Sequence, residues 1–513
     1  MKLARAALGA LLVALGAATF VHPTTLAAAG SCESLASLAL PGTTITAAEP
    51  VAAGGFTPPG GRAGGPGPNP NLPAFCRVAA TLKPSADSDI KVEVWMPAAG
   101  WNGKLQAVGN GGWTGSIGYG PLATALRRGY ATASTNTGHE GGSGQFALGH
   151  PEKLVDFGWR AVHEMTVTAK SVIAAFYGNA PRLSYWVGCS SGGKQGLKEA
   201  QKFPEDYDGI LAGAPANFWT HLVTGSLWVA QATLKDPASF IPREKYAVIH
   251  NAAVAACDAT DGVRDGVIED PARCRFDPKV LQCKNGDRPD CLTAPQAEAA
   301  KRIYGPATNL RTGQAIFPGM AVGSENGWAA LAGGPDPLSI ASDHFKYVVF
   351  KDPNWDFKTL DFDKGVELAD SIDKDFQLNA TDPNLKTFVA RRGKLLMYHG
   401  WNDQLIAPQN SINYYKSVVS ALGGESKAMA SVRLFMAPGM MHCGGGDGPN
   451  SFDMLTALEQ WVEQGKAPER VIAARMANGV ATRTRPLCPY PQTAQYRGSG
   501  STDAAENFIC KAP

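Results

Sequence analysis

Apolar side chains recur along this chain with two different periods, and the alternation between them predicts the architecture. Ile90, Val92, Val94 and Met96 alternate with Lys91, Glu93 and Trp95, the two-residue period of a half-buried strand. A second strand, Lys104 to Val108, runs into Gly109-Asn110-Gly111-Gly112. Trp159, Val162, Ala169, Val172, Ile173 and Phe176 then follow the helical period. Next come a short strand from Leu183 to Val187, a turn at Ser190, a helix that Pro204 helps to stop, and a strand from Gly209 to Gly213. Strands alternating with helices imply a largely parallel sheet covered by helices on both faces.

The rhythm breaks between residues 217 and 381, where Gly, Pro, Trp and Asp crowd together with four cysteines. It resumes with strands at Lys394 to Tyr398 and Ser431 to Met436, and with a helix carrying Phe452, Leu455, Leu458 and Val462 that ends near Gly465. The expected organisation is a core in two parts, residues 30–216 and 382–513, with an inserted lid domain over 217–381. Ala52 to Pro73 is too rich in Gly and Pro for a regular element and reads as a surface loop. Before the core, Lys2 and Arg5 precede an uncharged run from Ala6 to Val21 and then Leu26-Ala27-Ala28-Ala29. That is the order of a secretory signal peptide, assigned to residues 1–29, so the mature protein is expected to be secreted or periplasmic.

Composition narrows the class further. With 513 residues, 44% of them hydrophobic, the chain can bury a large core. A net charge of +2 without a long charge run leaves no electrostatic footprint for nucleic acid or an anionic membrane surface. The ten cysteines form an even set in an exported chain, so disulfides are expected. Neighbours in sequence suggest Cys257 with Cys274, Cys283 with Cys291, and Cys488 with Cys510. No two cysteines stand at zinc-binding spacing.

The chemistry concentrates at Gly188-Cys189-Ser190-Ser191-Gly192. Flanking glycines fit a sharp strand-to-helix turn that lifts the central serine above the sheet, which makes Ser190 the candidate nucleophile. A serine needs a base, and the base needs an acid to orient it. In such folds the order is Ser, acid, His, which selects Asp403, just past a strand end, and His442, in the loop after the last strong strand. His399 precedes the acid and reads as a packing or supporting residue; His163, on a helix, reads as structural. Main-chain donors for the developing oxyanion are assigned to Ser191 and to Gly109 in the glycine-rich loop, with Asn110 as the alternative. Cys189 precedes the serine and Cys443 follows the histidine, so a bridge between them would force Ser190 and His442 together. If both were free thiols, one of them could itself be the nucleophile beside His442.

A second cluster runs Cys257-Asp258-Ala259-Thr260-Asp261-Gly262-Val263-Arg264-Asp265-Gly266-Val267. Three carboxylates with two glycines can wrap oxygens around a hard cation; two Asp-Gly turns explain the same residues without one.

Taken together, these motifs resemble the tannase and feruloyl esterase family, which also includes mono(2-hydroxyethyl) terephthalate hydrolase. The resemblance rests on Gly188-Cys189-Ser190, His399-Gly400-Trp401 with Asp403, Pro438-Gly439-Met440 with His442-Cys443, the Asp258 to Gly266 cluster and Arg485-Pro486-Leu487-Cys488-Pro489-Tyr490. It implies an α/β-hydrolase core with a lid and a secreted serine esterase acting on small aromatic acid esters, feruloyl or hydroxycinnamoyl esters first. Galloyl and terephthalate esters are the alternatives. A non-catalytic calcium-dependent binder of phenolic or glycan material is the reading outside enzymes. The resemblance further implies a structural calcium ion held by Asp258, Asp261 and Asp265 side chains and the carbonyls of Val263 and Val267, no organic cofactor, and bridges Cys32–Cys76, Cys189–Cys443, Cys257–Cys274, Cys283–Cys291 and Cys488–Cys510. The terephthalate-cleaving member uses a lid arginine for the substrate carboxylate. Ser339 to Asp356 here has none, although Lys346 and Lys351 are cations in that stretch and Phe345, Tyr347, Phe350 and Trp355 would suit either an aromatic acyl group or a lid core.

Overall fold

The six predicted strands join three further ones in one nine-stranded sheet in a computed structural model that describes residues 30–59 and 71–512. The proposed signal peptide and the middle of the Gly/Pro-rich segment lie outside the described residues. In chain order the strands are β1 (Thr43–Val51), β2 (Phe75–Leu82), β3 (Ile90–Pro97), β4 (Lys104–Val108), β5 (Ala131–Thr135), β6 (Leu183–Cys189), β7 (Gly209–Gly213), β8 (Lys394–Gly400) and β9 (Val432–Ala437). They lie side by side as β1-β2-β3-β5-β4-β6-β7-β8-β9. The first three and the β3–β5 pair are antiparallel, and every pair from β5 to β9 is parallel.

Neighbouring residues on each parallel strand feed opposite faces, as the pleat requires. Trp186, Ile210, Leu395 and Leu434 enter one core with helices α2 (Ala161–Tyr177) and α5 (Gln409–Ala421). Tyr185, Leu211, Leu396 and Phe435 enter another with α1 (Tyr119–Arg127) and α6 (Met454–Gln464). The remaining labelled helices are α3 (Ser191–Lys202) and α4 (Trp219–Leu234).

One expectation changes. β3 is buried on both faces from Val92 to Pro97, not half-buried, because Trp95 is covered by Phe56 and Phe75 at 4.5 and 4.6 Å between ring centroids. Glu93 is tolerated there because Arg77 Nε (2.9 Å) and Trp95 Nε1 (2.7 Å) donate to its carboxylate.

Between β7 and β8 the chain leaves the sheet and builds its own apolar core from α4 with Trp328, Phe345 and Phe357, which also takes in Trp113 and Phe157 from the sheet side. All ten cysteines are paired, as Cys32–Cys76, Cys189–Cys443, Cys257–Cys274, Cys283–Cys291 and Cys488–Cys510. Among the described residues no helix is long and apolar enough to cross a membrane.

Candidate active site

Ser190 is a one-residue joint: β6 ends at Cys189, α3 starts at Ser191, and Ser190 itself takes φ 63° and ψ −123°. Side chains rarely adopt that backbone, and it persists only where the surroundings enforce it. Here the enforcement is visible. Ser190 N–H donates to the Gly213 carbonyl (3.0 Å), and its own carbonyl accepts from the N–H groups of Lys194 and Ala216 (3.0 Å each). The flanking glycine is equally constrained, since a Cβ on Gly188 would lie 2.4 Å from the Gly192 carbonyl oxygen.

The loops after the parallel neighbours β8 and β9 emerge at the same sheet edge, one carrying Asp403 and the other His442. Asp403 is fully buried. Its Oδ1 accepts from the main-chain N–H groups of Leu405 (2.8 Å) and Ile406 (2.9 Å), and its Oδ2 lies 2.7 Å from His442 Nδ1. Burial alone would raise this carboxyl, but His442 and His399 beside it outweigh that cost and hold it well below the usual carboxylate range. With Nδ1 committed to Asp403, the other nitrogen of His442 is the one left for a reacting group.

His399 is more deeply engaged than a packing residue. Its Nε2 lies 3.0 Å from the same Asp403 Oδ2 and 3.1 Å from the Ile406 carbonyl, and its Nδ1 lies 2.7 Å from Ser411 Oγ. Two acceptors at Nε2 require the proton there.

Ser190 and His442 line one cavity with Ser191 and Gly112. The Cys189–Cys443 bridge, with a Cα separation of 6.0 Å, ties their neighbours together across 254 residues. Because that bridge consumes both thiols, neither cysteine is a free nucleophile.

Gly109 does not supply an oxyanion donor. Its N–H is spent on the Val187 carbonyl (3.0 Å) in continuation of the β4–β6 ladder, and the Asn110 N–H on Gln195 Oε1 (3.1 Å). Gly109 is glycine for another reason: a Cβ there would meet Gly192 Cα at 2.5 Å. Gly112 is the loop residue that reaches the cavity. Ser191 opens α3, where the first N–H groups have no intrahelical partner.

The aromatic residues of Ser339 to Asp356 also fall elsewhere. Phe345 is buried against Trp355 and Phe350, and neither these rings nor Lys346 and Lys351 line the Ser190 cavity. Its walls are Trp219, Leu222 and Val223 from α4, with Leu338, Ile340, Leu405 and Ile406. Sequence reading missed them; the signal was the nearly unbroken burial-prone run of α4 itself.

In the second cluster, Asp258 Oδ1 accepts from Asp265 and Gly266 N–H (3.2 Å each), Asp261 Oδ1 from Val263 N–H (2.9 Å), and Asp265 Oδ1 from Val267 N–H (3.2 Å). The other oxygen of Asp265 pairs with Arg485 in the strand Val480–Leu487. The three side chains do not draw together as tightly as His163, Glu199 and Asp206, whose ligand atoms all lie within 4.8 Å of one another.

The sheet order and the strained serine turn define an α/β hydrolase. The sequence and structural comparisons narrow that class. Residues 76–511 match the family model described as tannase and feruloyl esterase. An uncharacterised esterase of Xanthomonas campestris pv. campestris is 41% identical over 95% of this chain and 92% of its own, and a probable feruloyl esterase B-2 of Neosartorya fischeri is 35% identical over 85% and 86%. The crystal structure of feruloyl esterase B from Aspergillus oryzae superposes with a TM-score of 0.88 at 32% identity, covering 94% of this chain and 99% of that one. Tannin acyl hydrolase from Aspergillus niger shares the fold, with a TM-score of 0.79 at 23% identity over 96% of each chain. The chain belongs to the tannase and feruloyl esterase family and is a carboxylic ester hydrolase.

Proposed function

We propose that the protein hydrolyses esters of aromatic acids, hydroxycinnamoyl esters foremost, through an acyl-enzyme on Ser190. The observation that carries this reading is the 2.7 Å contact of His442 with buried Asp403 at a cavity shared by His442 and Ser190. His442 takes the Ser190 proton as Oγ attacks the ester carbonyl, and the N–H groups of Ser191 and Gly112 receive the negative oxygen. His442 returns the proton to the leaving alcohol, then activates the water that releases the acid. Asp403 holds the ring in the productive tautomer and stabilises its cation.

The walls favour a neutral, flat acyl group: they are apolar, with Trp219 at hand and no Lys or Arg among them. Hydroxycinnamoyl esters fit that surface. Galloyl esters rank next, and terephthalate monoesters last, because a free carboxylate would meet no cation. The substrate would be a small ester from plant cell-wall or tannin material, with no nucleic-acid or membrane partner. Five disulfides, together with the signal-like order of residues in the amino-terminal sequence, support a secreted or periplasmic enzyme.

Calcium is assigned to the Asp258–Val267 loop, where Asp258 and Asp261 each commit one oxygen to the turn and the carbonyls of Val263 and Val267 are close in sequence. Asp265 would share its carboxylate between the ion and Arg485. The ion supplies positive charge that braces this loop, and no reaction step passes through it.

Turnover of methyl ferulate, methyl gallate and a terephthalate monoester by wild type and Ser190→Ala tests the whole reading. Ser190→Ala should retain the wild-type melting temperature, lose labelling by a fluorophosphonate and lose at least about 10³-fold in kcat. Undiminished hydrolysis by that variant would remove Ser190 from the mechanism.

A further inference from the structure

Behind the sheet, away from the Ser190 cavity, lies a cluster that the esterase reading does not use. His163 stands on α2, Glu199 on the last turns of α3, and Asp206 in the loop leading to β7. One ligand atom from each lies within 4.8 Å of the other two. Glu199 and Asp206 are buried, His163 only partly so.

Glu199 is the anomalous member. It is 1% exposed, and both of its carboxylate oxygens lack a hydrogen-bond donor. A buried carboxylate without partners is costly, and this one faces a second carboxylate. The surrounding charge relieves little of that cost. Lys170 Nζ stands 3.8 Å from Asp206 Oδ1 and donates mainly to the Asp206 carbonyl. Glu205 adds a further negative charge, and burial together with Asp206 pushes the Glu199 carboxyl well above its ordinary range. Two states resolve the conflict: a proton held between the two acids, or a cation bound by both.

The geometry points to a divalent transition-metal ion, zinc by ligand chemistry, bound by His163, Glu199 and Asp206. One imidazole nitrogen and two carboxylate oxygens are a zinc-type donor set. Tetrahedral ligands at zinc bond lengths stand about 3.4 Å apart, within reach of the spacing here. The imidazole is already oriented, with Nδ1 2.7 Å from Asp206 Oδ2 and the ring stacked on Phe203 at 3.7 Å. Partial exposure of His163 leaves an entry path, and a water would complete the four ligands. Binding would displace the proton shared by the two acids and clamp α2, α3 and the β7 approach together. Glu199 is eight residues beyond the start of α3, about 12 Å along the helix, so the ion acts on the framework of the nucleophile helix and touches no reacting atom.

The test uses the full mature chain, stripped with chelator, dialysed, and titrated with Zn²⁺ or Co²⁺. One equivalent should bind to wild type and to Asp261→Asn, whose change lies in the other cluster, while Glu199→Gln and His163→Ala should bind none there. Zinc at about one hundred times its Kd should raise the wild-type melting temperature by about 3 °C and leave that of Glu199→Gln unmoved. Cobalt should give wild type a visible absorption band that Glu199→Gln lacks. Equal metal uptake by wild type and Glu199→Gln would overturn the assignment. So would absence of uptake by wild type, which would leave a shared proton as the state of the pair. Glu199→Gln preserves shape, so the comparison stands even where His163→Ala fails to fold.

Discussion

Asp403 carries four hydrogen bonds while fully buried, two from main-chain N–H groups and two from histidines. Asn at this position keeps the shape but offers an N–H₂ group where Oδ2 now accepts, so one imidazole must turn or adopt the wrong tautomer. Asp403→Asn should therefore lower kcat by about 10³- to 10⁴-fold, with a much smaller change in KM, read from steady-state kinetics. The depressed carboxyl also has a signed consequence for stability. Above about pH 5, both the folded and unfolded Asp403 are ionised and its contribution is complete. As pH falls further, the unfolded chain takes up the proton first, so stability is lost on the way down toward the folded value. Melting temperatures between pH 2 and pH 6 should fall more steeply for wild type than for Asp403→Asn. Ser190 was legible in the sequence because a strand-turn-helix joint is a local constraint. Gly109 was misread for the opposite reason: whether its N–H is free depends on the β4–β6 register, which no local pattern reports.

At the scale of elements, five of the six strands in parallel pairs were legible, Lys104–Val108 and Gly209–Gly213 to the residue, whereas Ala131–Thr135, short and buried throughout, carries no alternation to reveal it. The acyl-pocket walls were not. Aromatic content drew attention to Phe345 and Trp355, yet those rings close on each other, while plain aliphatic residues on α4 and at Leu338 and Ile340 face the serine. Which apolar residue faces a cavity is decided by packing between elements, and periodicity is silent on that for a helix buried almost all round. The Cys189–Cys443 bridge joins the end of β6 to the loop after β9. Cutting it by Cys189→Ser with Cys443→Ser frees two elements whose relative placement sets the approach of His442 to Ser190. The loop it closes is long, so a loss of about 4 to 5 kcal/mol in stability is expected. Well below the lowered melting temperature, kcat should still fall by at least about tenfold. Full turnover at that temperature would show that the sheet alone holds the two loops in place.

Over the whole molecule, the apolar core that includes the segment inserted between β7 and β8 supplies the apolar walls of the cavity and meets the sheet at Ser190 and His442. The insertion is anchored outside the cavity as well. Arg485, buried in the strand Val480–Leu487 of the tail, pairs with Asp265, and Arg483 Nη1 donates to the Asp265 carbonyl at 2.9 Å. The cluster that sequence offered as either a calcium loop or a pair of turns is thus also the point where the tail grips the insertion. A calcium ion there would brace the insertion through a loop none of whose residues lines the cavity. Removing calcium with a selective chelator should lower the melting temperature of wild type, and Asp261→Asn should start lower and respond little. Initial rates at 25 °C, before any unfolding, should stay within about twofold for both, because no group of the loop lines the cavity. The opposite pattern, lost turnover at an unchanged melting temperature, would place the ion in the chemistry and detach it from the role that this anchoring assigns.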